Sequence, residues 1–142
     1  MNERNNVLVC VTPQESSKKL IEAGRILAEK NDAELQVITV LPLNGETQKD
    51  CPKQLDALFQ TVRDSKGDMA VYFSDDPVFT IAAHMAKTKP IVLVVGFPGE
   101  NSNNFISLIH LLVPDTPISM VDKDNRIYNM LPFEENQNSF HF

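Results

Sequence analysis

Short apolar runs alternate with amphipathic helical patterns along this whole chain, and that alternation leaves little choice of fold. Residues 7–11 are five consecutive apolar positions, followed by Thr12, Pro13, Gln14 and Glu15 and then by Leu20, Ile21, Gly24, Leu27 and Ala28 on one helical stripe. Further strand patterns lie at 35–41, 69–73, 91–95 and 118–121. The intervening helices carry Leu55, Leu58, Phe59 and Val62, then Val78, Ile81, Ala82 and Met85, and last an almost wholly apolar segment at 105–113. Strands joined through helices require right-handed crossovers and a parallel sheet covered on both faces. The predicted fold is therefore single-domain α/β: an open parallel five-stranded sheet of order 3-2-1-4-5 with helices on both faces. The runs at 7–11 and 91–95 lack any polar alternation, as central strands do.

Local punctuation supports this reading. Thr12 and Glu15 form a capping box around Pro13, and Asp76 before Pro77 repeats the order of cap and then proline. Gly67 supplies a stop for the second helix. The fourth helix is apolar on most of its surface and is expected to pack against more than one neighbour. The segment 42–50 is polar and is expected to be the main mobile interior loop. After Val121, the cluster Asp122, Lys123, Asp124 and Asn125 reads as a turn, and 126–131 alternates polar and apolar residues, so a C-terminal antiparallel edge strand is expected. The domain is placed at 1–133, and 134–142 as a tail that is flexible or engaged with a partner.

Charge excludes some functions. Thirteen Lys and Arg are scattered among nineteen Asp and Glu, a net charge of −6, whereas a nucleic-acid or anionic membrane surface needs clustered cations. The N-terminus is polar and leads into an apolar run too short for a signal-peptide core or a spanning helix, so a cytoplasmic protein is expected. Cys10 and Cys51 make no disulfide or zinc framework and read as free thiols.

Catalytic signatures fare no better. The first strand-to-helix turn has no G-x-G-x-x-G, and no P-loop occurs anywhere. A phosphoacceptor domain needs carboxylates after the first strand, where Thr12 and Pro13 stand; Asp75 and Asp76 follow the third strand, and Asp76 is accounted for as a helix cap. Cys10 could act as a phosphate-transferring nucleophile, but Val11 follows it, Pro13 lacks an amide hydrogen and Glu15 would repel an anion, so a buried small hydrophobe is the simpler reading. His84 is placed on the polar flank of the third helix, His110 inside the fourth and His141 in the tail, none at ligand spacing; no metal site and no catalytic residue are expected.

The remaining candidate is the polar loop 96–104. In a sheet whose order reverses between the first and fourth strands, this loop faces the Thr12 turn across the switch-point crevice. The crevice is assigned to Thr12, Pro13, Val40, Gly96, Gly99, Ser102, Asn103 and Asn104. Here the chain resembles the universal stress protein family, especially the version within sensor histidine kinases that control potassium uptake. The likeness lies in residues 7–13 with Ser16, Ser17, Leu20 and Ile21, in residues 33–37, in the Gly96 loop, and in residues 117–121. Nucleotide-binding members of that family look for an Asp ending the first strand and for Gly-x-x-Gly, nine further residues, then Gly followed by Ser or Thr. This chain keeps Gly96 and Gly99, has Thr12 for the Asp, and has Ile109 and His110 at the spacing of the last pair. The resemblance implies the fold, a cytoplasmic home and a homodimer through the edge made by Ile118–Val121 and 126–131, with the last strand either capping its own sheet or crossing to the partner.

The function expected is a non-catalytic regulatory or stress-response binding module with a degenerate nucleotide site, no bound cofactor and no ATP. The alternatives are a member that binds ATP or a small anion through 96–104, and a phosphate-transferring enzyme using Cys10.

Overall fold

The computed structural model describes residues 5–12, 17–43, 51–97 and 104–132. In chain order the elements are β1 (Asn6–Cys10), α1 (Ser17–Lys30), β2 (Glu34–Leu41), α2 (Cys51–Asp64), β3 (Asp68–Phe73), α3 (Pro77–Thr88), β4 (Val92–Gly96), α4 (Phe105–Leu112), β5 (Ile118–Val121) and β6 (Ile127–Met130). The sheet order is β3-β2-β1-β4-β5-β6, parallel except for β6. The expected order and the antiparallel edge are both present, and the hairpin strand caps its own sheet.

The two unbroken apolar runs lie at the centre, because side chains of a strand alternate between faces and both faces here are covered. Val7, Val9 and Val11 pack with Ile21 and Ala28 of α1 and with Leu58 and Val62 of α2. Leu8 points the other way, to Ile81, Ala82 and Met85 of α3 and to Ile106 and Ile109 of α4. The helices segregate as right-handed crossovers demand: α1 and α2 on one side, α3 and α4 on the other. Phe59 departs from its expected core role and is 40% exposed, at the edge of the α2 stripe.

Helix ends follow chemistry that the sequence shows only in part. Asp76 caps α3, its carboxylate accepting the Phe79 amide at 3.1 Å, with Pro77 in the first turn. α1 begins at Ser17, so Thr12 stands five residues ahead of the helix and does not cap it; the rest of the expected capping box, Pro13 and Glu15, lies outside the described residues. Gly67 is not the left-handed residue that ends α2. That position is Lys66, with φ of 60°, while the Gly67 amide reaches Val62 O at 3.0 Å and the Lys66 amide reaches Arg63 O at 2.9 Å, a Schellman closure. Gly67 is needed for close approach instead, since a Cβ there would meet Leu35 Cγ and Cδ2 at 3.0 Å.

Helix α4 packs against both α3 and the sheet, as expected, but through a narrower face than its composition suggests. Only Ile106 and Ile109 are buried, while Leu108, Leu111 and Leu112 are exposed, so the helix packs through one stripe and leaves an apolar outer face. The β5–β6 turn is held by Asp122, whose Oδ1 accepts the amides of Asp124 and Arg126 at 2.8 Å each, while Asn125 takes φ of 66°. These two amides, with the Tyr128 hydroxyl, outweigh desolvation and hold the Asp122 carboxyl below its ordinary value. Residues 44–50 of the expected loop and the tail 134–142 lie outside the described residues. Among the described residues no helix is long and apolar enough to cross a membrane.

Candidate functional site

The switch point lies between β1 and β4, which pair with Val9 opposite Val94 while β1 pairs on its other side with β2, Cys10 opposite Ile38. Two residues further along this register, Val11 stands level with Gly96 and Thr12 with Val40. The Val11 amide extends the β2 pairing to Ile38 O at 3.0 Å, and the Phe97 amide extends β4 to Val121 O at 2.9 Å. Thr12 and Gly96 therefore lie at the carboxyl ends of adjacent strands, the end at which open α/β sheets bind ligands.

Thr12 is exposed, and its carbonyl accepts the hydroxyl of the buried Ser17, which draws the start of α1 against the end of β1. Val40 is half-buried on the α3 and α4 side with Cys10 and Tyr72. Gly96 is exposed, and among the described residues a Cβ added there would meet only Leu20 Cδ1, at 3.7 Å. Asn104 is the N-cap of α4, and its side chain makes no capping bond. Pro13, Gly99, Ser102 and Asn103 lie outside the described residues. Of the eight residues assigned, the strands thus place Thr12, Val40 and Gly96 at one end of the sheet, and Asn104 opens the helix that follows β4.

Cys10 is half-buried, and burial pushes its thiol up to about 12. At neutral pH it is a protonated, weakly polar side chain among apolar neighbours.

His84 corrects the sequence reading, because it is buried rather than on a polar flank. Its Nδ1 lies 2.9 Å from the Tyr72 hydroxyl and its Nε2 lies 3.4 Å from Gln36 Oε1, and the two rings meet edge to face at 5.7 Å. With an amide oxygen facing Nε2, the neutral ring donates from Nε2 and accepts the Tyr72 proton at Nδ1. The signal was available: His84 falls three residues after Ile81, within the buried stripe. Burial, with the Lys87 charge adding to it, lowers the His84 pKa. The folded state then binds fewer protons than the unfolded one, so this contribution to stability is complete above the ordinary histidine value and is lost as pH falls below it. Urea midpoints at pH 7.5 and pH 5.5 are expected to differ more for the parent than for His84→Gln, and equal differences would contradict this coupling. A second contact invisible to the sequence is the stack of Phe97 on Tyr128, centroids 4.6 Å apart, which only the hairpin register creates.

The sequence matches no protein-family model and no curated protein. Solved structures do match. A universal stress protein from Archaeoglobus fulgidus aligns at a TM-score of 0.62 and 15% identity, covering 80% of this chain and 90% of that one. A universal stress protein in complex with cAMP aligns at 0.58 and 17%, covering 84% and 97%. The universal stress protein from Archaeoglobus fulgidus in complex with dAMP aligns at 0.62 and 13%, covering 82% and 97%. On these alignments, which run over most of its length, the chain has the fold of the universal stress proteins.

Proposed function

We propose that the chain is a universal stress protein-like binding module with no catalysis of its own, and that the crevice between the Thr12 and Gly96 corners is a nucleotide site stripped of its triphosphate grips. The observation that carries this reading is the position of Thr12, Val40 and Gly96 at the carboxyl ends of adjacent strands, in a fold shared with structures solved with cAMP and dAMP, with Thr12 where the resemblance looks for an Asp. Without that carboxylate the site loses an anchor for the ribose or a metal-bound triphosphate. A second reading on the same site is a nucleoside monophosphate or another small anion, supported by the fold shared with structures solved with cAMP and dAMP. Cys10 phosphotransfer is disfavoured by a thiol raised to about 12, since the thiolate is the nucleophile.

Thermal-shift titration tests this directly. Millimolar ATP is expected to leave Tm unchanged, whereas cAMP or dAMP raises it if the second reading holds; a ligand at a hundred times its Kd adds about 2.7 kcal/mol. A saturable shift with micromolar ATP overturns the proposal.

We further propose a cytoplasmic homodimer formed at the β6 side of the sheet. Support comes from the free edge of β6 and from the exposed Leu108, Leu111, Leu112 and Leu131, the last tied to α4 by a bond of 2.9 Å from His110 Nε2 to its carbonyl. Light scattering after size exclusion is expected to give twice the chain mass for the parent and the single mass for a variant truncated after Asp122. A monomeric parent sinks the dimer.

A further inference from the structure

The α1 side of the sheet is covered by helix only over β1, β2, β3 and part of β4. Among the described residues no helix reaches that face beyond β4, because α3 and α4 both cross on the other side. What remains is a groove of about 550 Å³ between α1 and the strands β4, β5 and β6. Its floor is apolar, with Val121 and Ile127 on the sheet and Ile26 on the helix, and Lys18, Lys19 and Lys30 stand on its helix rim. Glu22, the acid on the same rim, is paired with Arg25, so the rim is cationic in a protein of net charge −6.

We infer that this groove is the docking site of residues 133–142 of the same chain, which lie outside the described residues. Three features of that segment match it. Its composition is Phe133, Glu134, Glu135, Phe140 and Phe142 among polar residues, with no Lys or Arg, so it offers acids to the lysines and aromatic rings to the floor. Its direction fits: β6 runs antiparallel to β5 and ends with Met130 opposite Ile118, at the amino end of the sheet, which is also where α1 finishes at Lys30. Its length fits as well. From Lys18 to Lys30 a helix rises about 18 Å, and the five steps from Glu135 to Phe140 span about 17 Å when extended. Glu134 and Glu135 then meet Lys30, and Phe140 reaches the Ile127 end beside Lys18 and Lys19. β6 lies two strands from β4, about 10 Å, within reach of the few residues after Pro132.

The test compares the full chain with one ending at Pro132, using 1-anilinonaphthalene-8-sulfonate as the probe of the groove. The shortened chain is expected to give several-fold higher dye fluorescence, and a synthetic peptide of residues 133–142 is expected to displace the dye. Equal fluorescence from the two chains, or no displacement, overturns the inference. Because shortening could alter folding, a full-length Lys18→Glu, Lys30→Glu variant supplies the second arm. Chymotrypsin, which cuts at Phe, is expected to cleave within 133–142 several-fold faster in that variant and in high salt. Cleavage that is indifferent to both overturns the proposal, and protection that grows with protein concentration assigns the groove to a second copy and overturns the same-chain docking.

Discussion

Replacing Gly24 by alanine is expected to destabilise the protein by about 2 kcal/mol, although alanine is the better helix former. A Cβ at position 24 would lie 2.2 Å from Val9 Cγ2 and 3.2 Å from Leu35 Cδ1. Val9 is fully buried on the central strand between β2 and β4, and its β-branched side chain has little rotamer freedom to withdraw. The helix must therefore rise off the sheet, opening the α1 side of the core to relieve one methyl. Urea denaturation measures the loss. Val9→Ala in the same chain should restore part of it, since residues in contact couple. Unchanged stability in the single variant would mean that α1 is not held at this distance.

The second large effect is at Ile109, where truncation to alanine is expected to cost about 3 kcal/mol, while Leu111→Ser two residues on costs the separated subunit less than about 0.5 kcal/mol. Ile109 is wholly buried in the cluster that holds Ile81, Met85 and Ile118, whereas Leu111 is 64% exposed. The contrast is informative because both are large apolar residues on one short helix. The same helix follows its N-cap Asn104, so a core loss at Ile109 is expected to loosen that helix start as well. A further Leu111 loss that grows with protein concentration is expected from the subunit contact proposed for that face.

Much of the architecture was legible because the physics behind it is local. Parallel strands covered on both faces must be apolar at every position, which marked residues 7–11 and 91–95 as central, and the Asp76 cap before Pro77 marked the start of α3. The crevice was legible to the extent that strand order alone brings Thr12, Val40 and Gly96 to one end of the sheet. Where reading failed, the deciding neighbour was distant in sequence. His84 is buried because Tyr72 and Gln36, on different strands, satisfy both ring nitrogens. Gly67 is explained by Leu35 and not by its own helix. Leu108, Leu111 and Leu112 share the hydropathy of Ile109, so periodicity could not tell which side of so apolar a helix the sheet would take.

The sequence by itself determined the alternation of strand and helix, the parallel core and the hairpin at the edge, because each follows from side-chain period, turn chemistry and crossover handedness. Tertiary structure alone decided how close α1 lies to β1, which nitrogens of His84 find partners, and which sheet face is left without a helix. Those outcomes depend on contacts between residues far apart in the chain, and steric fit and hydrogen-bond satisfaction at such contacts exist only once the layers have packed.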